Sequence, residues 1–147
     1  NVHQLSQVAL SIPHIYQELM RQFWPGSLSL VFPAHNQCSS KLTGDTGTIA
    51  VRQSPHPVAQ RLLAVFGGPI TATSANISGQ PAAVTAQEVA QIFGEQLDLI
   101  VDGGATPGGQ GSTLVGLQSG ALCCLRPGKV DFSLVQAIGE AYNQAIT

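Results

Sequence analysis

Apolar residues return along the first third of the chain at two different periods, and each period predicts an element. Ile12, Tyr16, Leu19 and Phe23 recur every three or four positions. That spacing puts them on one helix face and predicts a helix over Gln4 to Phe23, interrupted near Pro13. Ahead of it, Val2 and His3 read as the end of a strand. Trp24-Pro25-Gly26 ends the helix, because proline offers no N–H and glycine accepts turn geometry. From Ser27 to Phe32 the period falls to two, with Leu28, Leu30 and Phe32 on one side, as in a half-buried strand. Pro33 to Gly47 is polar and turn-rich, and Thr48-Ile49-Ala50-Val51-Arg52 resumes as a strand.

In the second half, Val58, Leu62 and Val65 share a helical face up to Phe66. Val65, Phe66, Pro69 and Ile70 read as core residues and lead into a strand and loop dense in short hydrogen-bonding side chains, Thr71 to Pro81. A strand entering such a loop leaves its sheet at an edge, where ligands of open α/β sheets bind; the plainer alternative is a Ser/Asn turn that satisfies its own backbone. Thr85-Ala86-Gln87-Glu88 is a capping box that opens a helix to about Phe93. Leu97 to Val101 alternates as a strand, and a glycine-rich loop follows from Ala105 to Gly111. Two further strands, Ser112 to Leu117 and Ala121 to Arg126, flank a turn. Asp131 caps a last helix with Leu134, Ile138 and Tyr142 inward. The expected fold is α/β: one domain over residues 1–147, with helices flanking a mixed sheet.

The composition sharpens this picture. Charged residues make up only 10% of the 147 positions, against about 25% in ordinary globular domains, so each charge is informative. The six basic residues are scattered and the net charge is −2, which argues against a dedicated nucleic-acid binder. Cys38, Cys123 and Cys124 are odd in number and lack metal-ligand spacing. Cys123 and Cys124 therefore read as small core residues, and a reducing, cytoplasmic setting fits. No apolar stretch approaches the roughly 20 residues that cross a bilayer. The start at Asn1-Val2-His3, without methionine, suggests a processed or truncated product.

Two strands end alike, in Arg52 and in Arg126. A guanidinium is not buried unpaired, so each is expected at a wet edge or against an anion, and its planar fork suits carboxylate or phosphate. The glycines from Gly103 to Gly111 superficially suggest a phosphate cradle. They form no Walker A loop, since no lysine precedes Ser112 and no helix is expected after it. His14, His35 and His56 show no metal spacing, and Asp45, Asp98 and Asp102 reach magnesium only through water or a substrate phosphate.

Several blocks occur in order: Phe23-Trp24-Pro25-Gly26-Ser27-Leu28-Ser29-Leu30-Val31, Thr48 to Arg52 with Pro55-His56-Pro57, Gly68-Pro69-Ile70, Ser74 to Pro81, Asp102-Gly103-Gly104, Ser112-Thr113, and Leu125-Arg126-Pro127-Gly128. Together they resemble the YrdC-like family, which includes threonylcarbamoyl-AMP synthases, over nearly the whole chain. The resemblance implies a twisted mixed sheet around a concave, positively lined cavity. It also implies conversion of L-threonine, bicarbonate and ATP, with Mg²⁺, into threonylcarbamoyl-AMP and pyrophosphate in the cytoplasm. The product would pass to the machinery that makes N6-threonylcarbamoyladenosine in tRNA. Carried over by motif position, His3, Arg52, Ser74 and Ser112 line the threonine side. Thr48, Asn76, the backbone near Val84, and Arg126 lie along ATP. No residue is expected to act as a nucleophile or to hold a metal alone.

The likeness has gaps. The family's N-terminal part, with a Thr-x-Tyr-Gly-Leu-like stretch and a Lys-x-Arg-Pro motif, has no counterpart, so the chain is expected to be N-terminally truncated. The family's acidic residue before Ser-Thr is Gly111 here, and the proline after Trp-Pro-Gly is Ser27. A noncatalytic domain that binds nucleotide or double-stranded RNA weakly is the alternative of another class. A hydrogenase-maturation carbamoyltransferase would need zinc-finger and acylphosphatase-like segments that do not occur in this sequence.

Overall fold

A computed structural model of the chain describes residues 2–145. They divide into two compact units, one running to Pro69 and resuming at Gly111, the other Ile70–Gln110.

The larger unit is built on a four-stranded sheet. Its elements are α1 (Val2–Leu5), α2 (His14–Phe23), β1 (Leu28–Pro33), α3 (Ser40–Thr43), β2 (Thr48–Val51), α4 (Pro57–Phe66), β3 (Thr113–Gln118), β4 (Ala121–Arg126) and α5 (Phe132–Ala145). The strand order is β2-β1-β3-β4. β1 is antiparallel to β2 and parallel to β3, and β3 is antiparallel to β4. The sheet is therefore mixed, as expected.

Side chains alternate between the faces of a strand, so the register assigns each residue to one face. Leu30 pairs with Val51, Phe32 with Ile49, Leu28 with Thr113 and Leu30 with Val115. These residues form the core face. Leu28, Leu30, Phe32, Thr113 and Val115 are fully buried there. α2 covers it with Tyr16, Leu19 and Met20, and Ile12 and Phe23 pack partly buried beside them. The helical period read from the sequence thus named the right face. Tyr16 meets Phe32 edge-on, with ring centroids 5.1 Å apart.

The Tyr16 hydroxyl is buried and has no hydrogen-bond partner among the described residues. Burial first, and charge on the Cys123 thiol second, raise its pKa above the ordinary 10.0. The unfolded phenol ionises above about pH 10 while the folded one stays neutral, so stability is complete below that pH and declines as pH rises past it. Tyr16→Phe keeps the ring contact and removes an unpaired polar group. Urea unfolding is expected to show an unchanged or higher midpoint at pH 7 and a flatter loss above pH 10. A drop at pH 7 exceeding about 1 kcal/mol would mean the hydroxyl has a partner.

Several expectations need correction. Val2 and His3 lie in α1 rather than in a strand, and Ala9 makes only an isolated bridge to Ala34. The first helical stretch therefore breaks well before Pro13. On α5 the inward face is Val135, Ile138 and Gly139, and Leu134 is 55% exposed. The cause is Gly139: a Cβ there would lie 2.7 Å from Leu122 Cδ1, so the helix sits against β4 on its glycine face. Asp131 caps this helix as expected, accepting from the Ser133 N–H at 2.9 Å. That bond, with the Ser133 hydroxyl, holds its carboxyl below the usual value. Its contribution is accordingly lost only as pH falls through that lowered pKa. Cys123 and Cys124 are half-buried rather than core, and Val65, Phe66 and Ile70, also expected in a core, are exposed because no element among the described residues packs over them.

The smaller unit holds one α-helix, Ala86–Phe93, followed by a 3₁₀ turn, Gly94–Gln96. Thr85 caps the helix, its Oγ1 accepting from the Glu88 N–H at 3.2 Å. Glu88 Oε2 reaches back to the Val84 N–H at 2.7 Å, one residue before the expected partner. Neither Thr71–Thr73 nor Leu97–Val101 is a strand. Alternation specifies a face but supplies no neighbour to take the backbone hydrogen bonds, and among the described residues neither stretch has a ladder partner.

Candidate functional site

The sheet face opposite the core is read from the same register. Val31 pairs with Ala50, Pro33 with Thr48, Ser29 with Leu114, Gly116 with Cys123 and Leu114 with Arg126. Arg52 follows Val51, one residue beyond the paired stretch, and alternation turns it to this side. A register shift between Leu114 and Val115 doubles β4 against Leu114 and turns Arg126 to this side. Thr48, Arg52, Ser112 and Arg126 therefore lie on one face, away from Leu28, Leu30 and Phe32.

Topology also brings three of these to one end. Because β2 and β4 run against β1 and β3, the ends of β2 and β4 meet the starts of β1 and β3. Arg52 and Arg126 are separated by three strand spacings of about 4.8 Å, roughly 14 Å. Thr48 sits at the other end of β2, with its Oγ1 2.8 Å from Thr46 Oγ1.

At the β4 end the packing is tight. Arg126 Nη2 donates to the Ser112 carbonyl at 3.0 Å and to Ser112 Oγ at 3.3 Å. Ser112 Oγ also lies 2.8 Å from Ser29 Oγ. The loop after β4 is pinned beside them. Lys129 N–H donates to the Gly111 carbonyl at 3.0 Å, and the buried Thr113 Oγ1 donates to the Val130 carbonyl at 2.6 Å while accepting the Val130 N–H at 3.0 Å. At the β2 end, Arg52 Nη1 donates to the Gly26 carbonyl at 3.4 Å. Both arginines are exposed, and among the described residues neither has a carboxylate partner; the one ion pair is Arg21 with Glu18. A Cβ at position 111 would begin 4.0 Å from Arg126 Nη2. Glycine there leaves the guanidinium without the acid that the family pattern puts before Ser-Thr. Two unneutralised forks on one sheet face make a seat for anions.

The other expected residues lie elsewhere. His3 is exposed on α1, outside the sheet. Ser74, Asn76 and Val84 belong to the smaller unit. There Asn76 Nδ2 donates to the carbonyls of Ile77 and Gln80, at 3.1 and 2.7 Å, while its Oδ1 is buried with no partner among the described residues. The Val84 N–H is taken by Glu88 and its carbonyl by the Thr106 N–H at 2.8 Å. Two surface depressions of the larger unit, about 380 and 470 Å³, include neither Arg52 nor Arg126 in their lining, although the second reaches Gln53. One is lined by His14, Leu122 and Glu140, the other by Met20, Trp24 and Gln53. Neither gathers the polar, anion-directed groups of the sheet face, and the chemistry outweighs the shape. Ser29 escaped the sequence reading. Its signal was a hydroxyl at the polar phase of an otherwise apolar strand.

A family model for Sua5, YciO and YrdC proteins, described as Telomere recombination, matches residues 1–128. The chain belongs to this family. Within the Sua5/YciO/YrdC family it is similar to the threonylcarbamoyl-AMP synthase of Pyrococcus abyssi, 38% identical over 138 residues, which span 93% of this chain and 41% of that protein. The Bacillus subtilis threonylcarbamoyl-AMP synthase is 34% identical, over 94% of this chain and 40% of its own length. The chain thus spans about two fifths of these relatives. Among solved structures, P. abyssi Sua5 complexed with L-threonine superposes with a TM-score of 0.87 at 36% identity, over 94% of this chain and 41% of that one. Escherichia coli YciO, at 24% identity and a TM-score of 0.78, shares the Sua5/YciO/YrdC fold.

Proposed function

We propose that this chain carries the substrate-binding face of a threonylcarbamoyl-AMP synthase, a nucleotidyltransferase acting on L-threonine, bicarbonate and ATP. The observation that carries the reading is the pair of arginines without carboxylate partners at one end of a sheet face, roughly three strand spacings apart. That separation suits an amino acid beside a nucleotide. The similarity to threonylcarbamoyl-AMP synthases, and to a relative solved with L-threonine, supports the same assignment.

In this reading Arg52 takes the threonine carboxylate as a bidentate partner, and Ser112 orients the amino acid. Arg126 faces the phosphates, and Thr48 lines the nucleotide. The threonine amine attacks bicarbonate to give a carbamate and water. A carbamate oxygen then attacks the α-phosphorus, and pyrophosphate leaves with the electron pair of the broken P–O bond. These steps need positioning and charge neutralisation rather than a protein nucleophile. Among the described residues no three of His, Cys, Asp and Glu gather to hold a metal. In this reading Mg²⁺ enters as the counter-ion of the nucleotide phosphates. Among the described residues no helix is long and apolar enough to cross a membrane. A cytoplasmic reaction that feeds tRNA modification is consistent with this reading.

Incubated with L-threonine, bicarbonate, ATP and Mg²⁺, the protein is expected to release pyrophosphate only when threonine is present. ATP turnover indifferent to threonine would refute the assignment. Salt-dependent retention of double-stranded RNA without ATP turnover would instead identify a noncatalytic binding domain.

A further inference from the structure

We infer that Ser29 is a positioning residue that turns the Ser112 hydroxyl into an obligate donor, so that Ser112 and Arg126 together seat an oxyanion of the ligand. The inference rests on the reading above and narrows what meets this corner to an oxyanion of the substrate.

It follows from counting lone pairs and protons. A guanidinium has donors only, so Arg126 Nη2 occupies one lone pair of Ser112 Oγ, at 3.3 Å. Ser29 is 8% exposed, and Ser112 is the one partner of its hydroxyl among the described residues, at 2.8 Å. Were Ser112 to donate to Ser29, the Ser29 proton would be left buried without an acceptor, the costlier fault. Ser29 therefore donates, and both lone pairs of Ser112 are filled. Only its proton remains for a ligand. The Ser112 hydroxyl and the Arg126 fork beside it then offer a ligand donors alone, so together they take a carboxylate or phosphate oxygen and not an ammonium.

The test is calorimetric titration of the 147-residue chain with L-threonine and, separately, with sodium pyrophosphate as a bare oxyanion probe. Ser29→Ala is expected to weaken the ligand that uses this corner roughly three- to tenfold, the worth of one neutral hydrogen bond. Ser29→Thr, which keeps the donor, is expected to bind within about twofold of the parent chain. In a Ser112→Ala background, Ser29→Ala is expected to change nothing further, because its effect passes through Ser112. The ligand that shows this pattern identifies the source of the oxyanion. The inference is overturned if Ser29→Ala binds both probes normally, if Ser29→Thr loses as much as Ser29→Ala, if the loss survives removal of Ser112, or if the parent chain binds neither probe. If the pattern appears with pyrophosphate while threonine does not bind, the relay stands and the synthase reading falls.

Discussion

Arg126→Ala is expected to weaken ATP binding roughly 10- to 100-fold, and Arg52→Ala to weaken L-threonine binding by a similar factor. Each substitution removes charge-assisted hydrogen bonds worth about 1.5–3 kcal/mol, and every 1.4 kcal/mol is tenfold in affinity. The two are not symmetrical. Arg52 braces only the Gly26 carbonyl, at a long 3.4 Å, so its loss should be confined to the ligand it pairs with. Arg126 also holds Ser112 through Oγ and the carbonyl. Its removal should therefore cost some threonine affinity, smaller than the loss for ATP. Separate titrations with the two ligands decide the matter. Equal losses for both ligands in both variants would show that the arginines act as one diffuse positive surface, and the division into an amino-acid end and a phosphate end would be wrong.

The largest effect on stability is expected at Gly128. A Cβ there would lie 2.4 Å from Ser112 C, 2.4 Å from Thr113 N and 2.6 Å from the Gly111 carbonyl oxygen. All three are backbone atoms, so no side chain can swing aside. Alanine must push the loop after β4 away from the start of β3, against the Thr113–Val130 and Gly111–Lys129 bonds that hold it. Overpacking of this kind costs up to about 3 kcal/mol. At roughly 2–4 °C per kcal/mol for a chain of this size, Tm should fall by about 10 °C. Gly139→Ala offers the contrast. Its near contact is Leu122 Cδ1, the end of a flexible side chain, and its penalty should be visibly smaller. A Gly128→Ala protein melting within about 2 °C of the parent would mean that the Leu-Arg-Pro-Gly turn is looser than this packing implies.

Local chemistry foretold most of the larger unit. Leu28, Leu30 and Phe32 alternate because a half-buried strand demands it, and Tyr16 and Leu19 return at the helical period because one face must meet that strand. Thr85 and Asp131 announce helix starts because their side chains satisfy backbone donors within three residues. Prediction failed where the decisive partner was remote. Leu97, Leu99 and Val101 alternate like a strand yet have no neighbouring ladder, and Leu134 looks as apolar as Val135 until Gly139 lets its helix close on Leu122. That the two arginines would reach a wet edge was legible from residue type alone, because a guanidinium is not buried unpaired. Ser29 was not legible, because nothing local says which hydroxyl will lie across from it 83 positions later.

By itself, then, the order of residues determined the four strands and most of α2 in the larger unit, the inward faces of α2 and β1, and that Arg52 and Arg126 would stand exposed at strand ends. Those properties depend on neighbours within a few positions. Only the tertiary structure decided that β1 would lie parallel to β3, so that Arg52, Ser29, Ser112 and Arg126 share one end of one face. It also decided that the hydroxyls of Ser29 and Ser112 would touch. Strand pairing joins residues far apart in the chain, and its register follows from packing the whole core rather than from any local pattern.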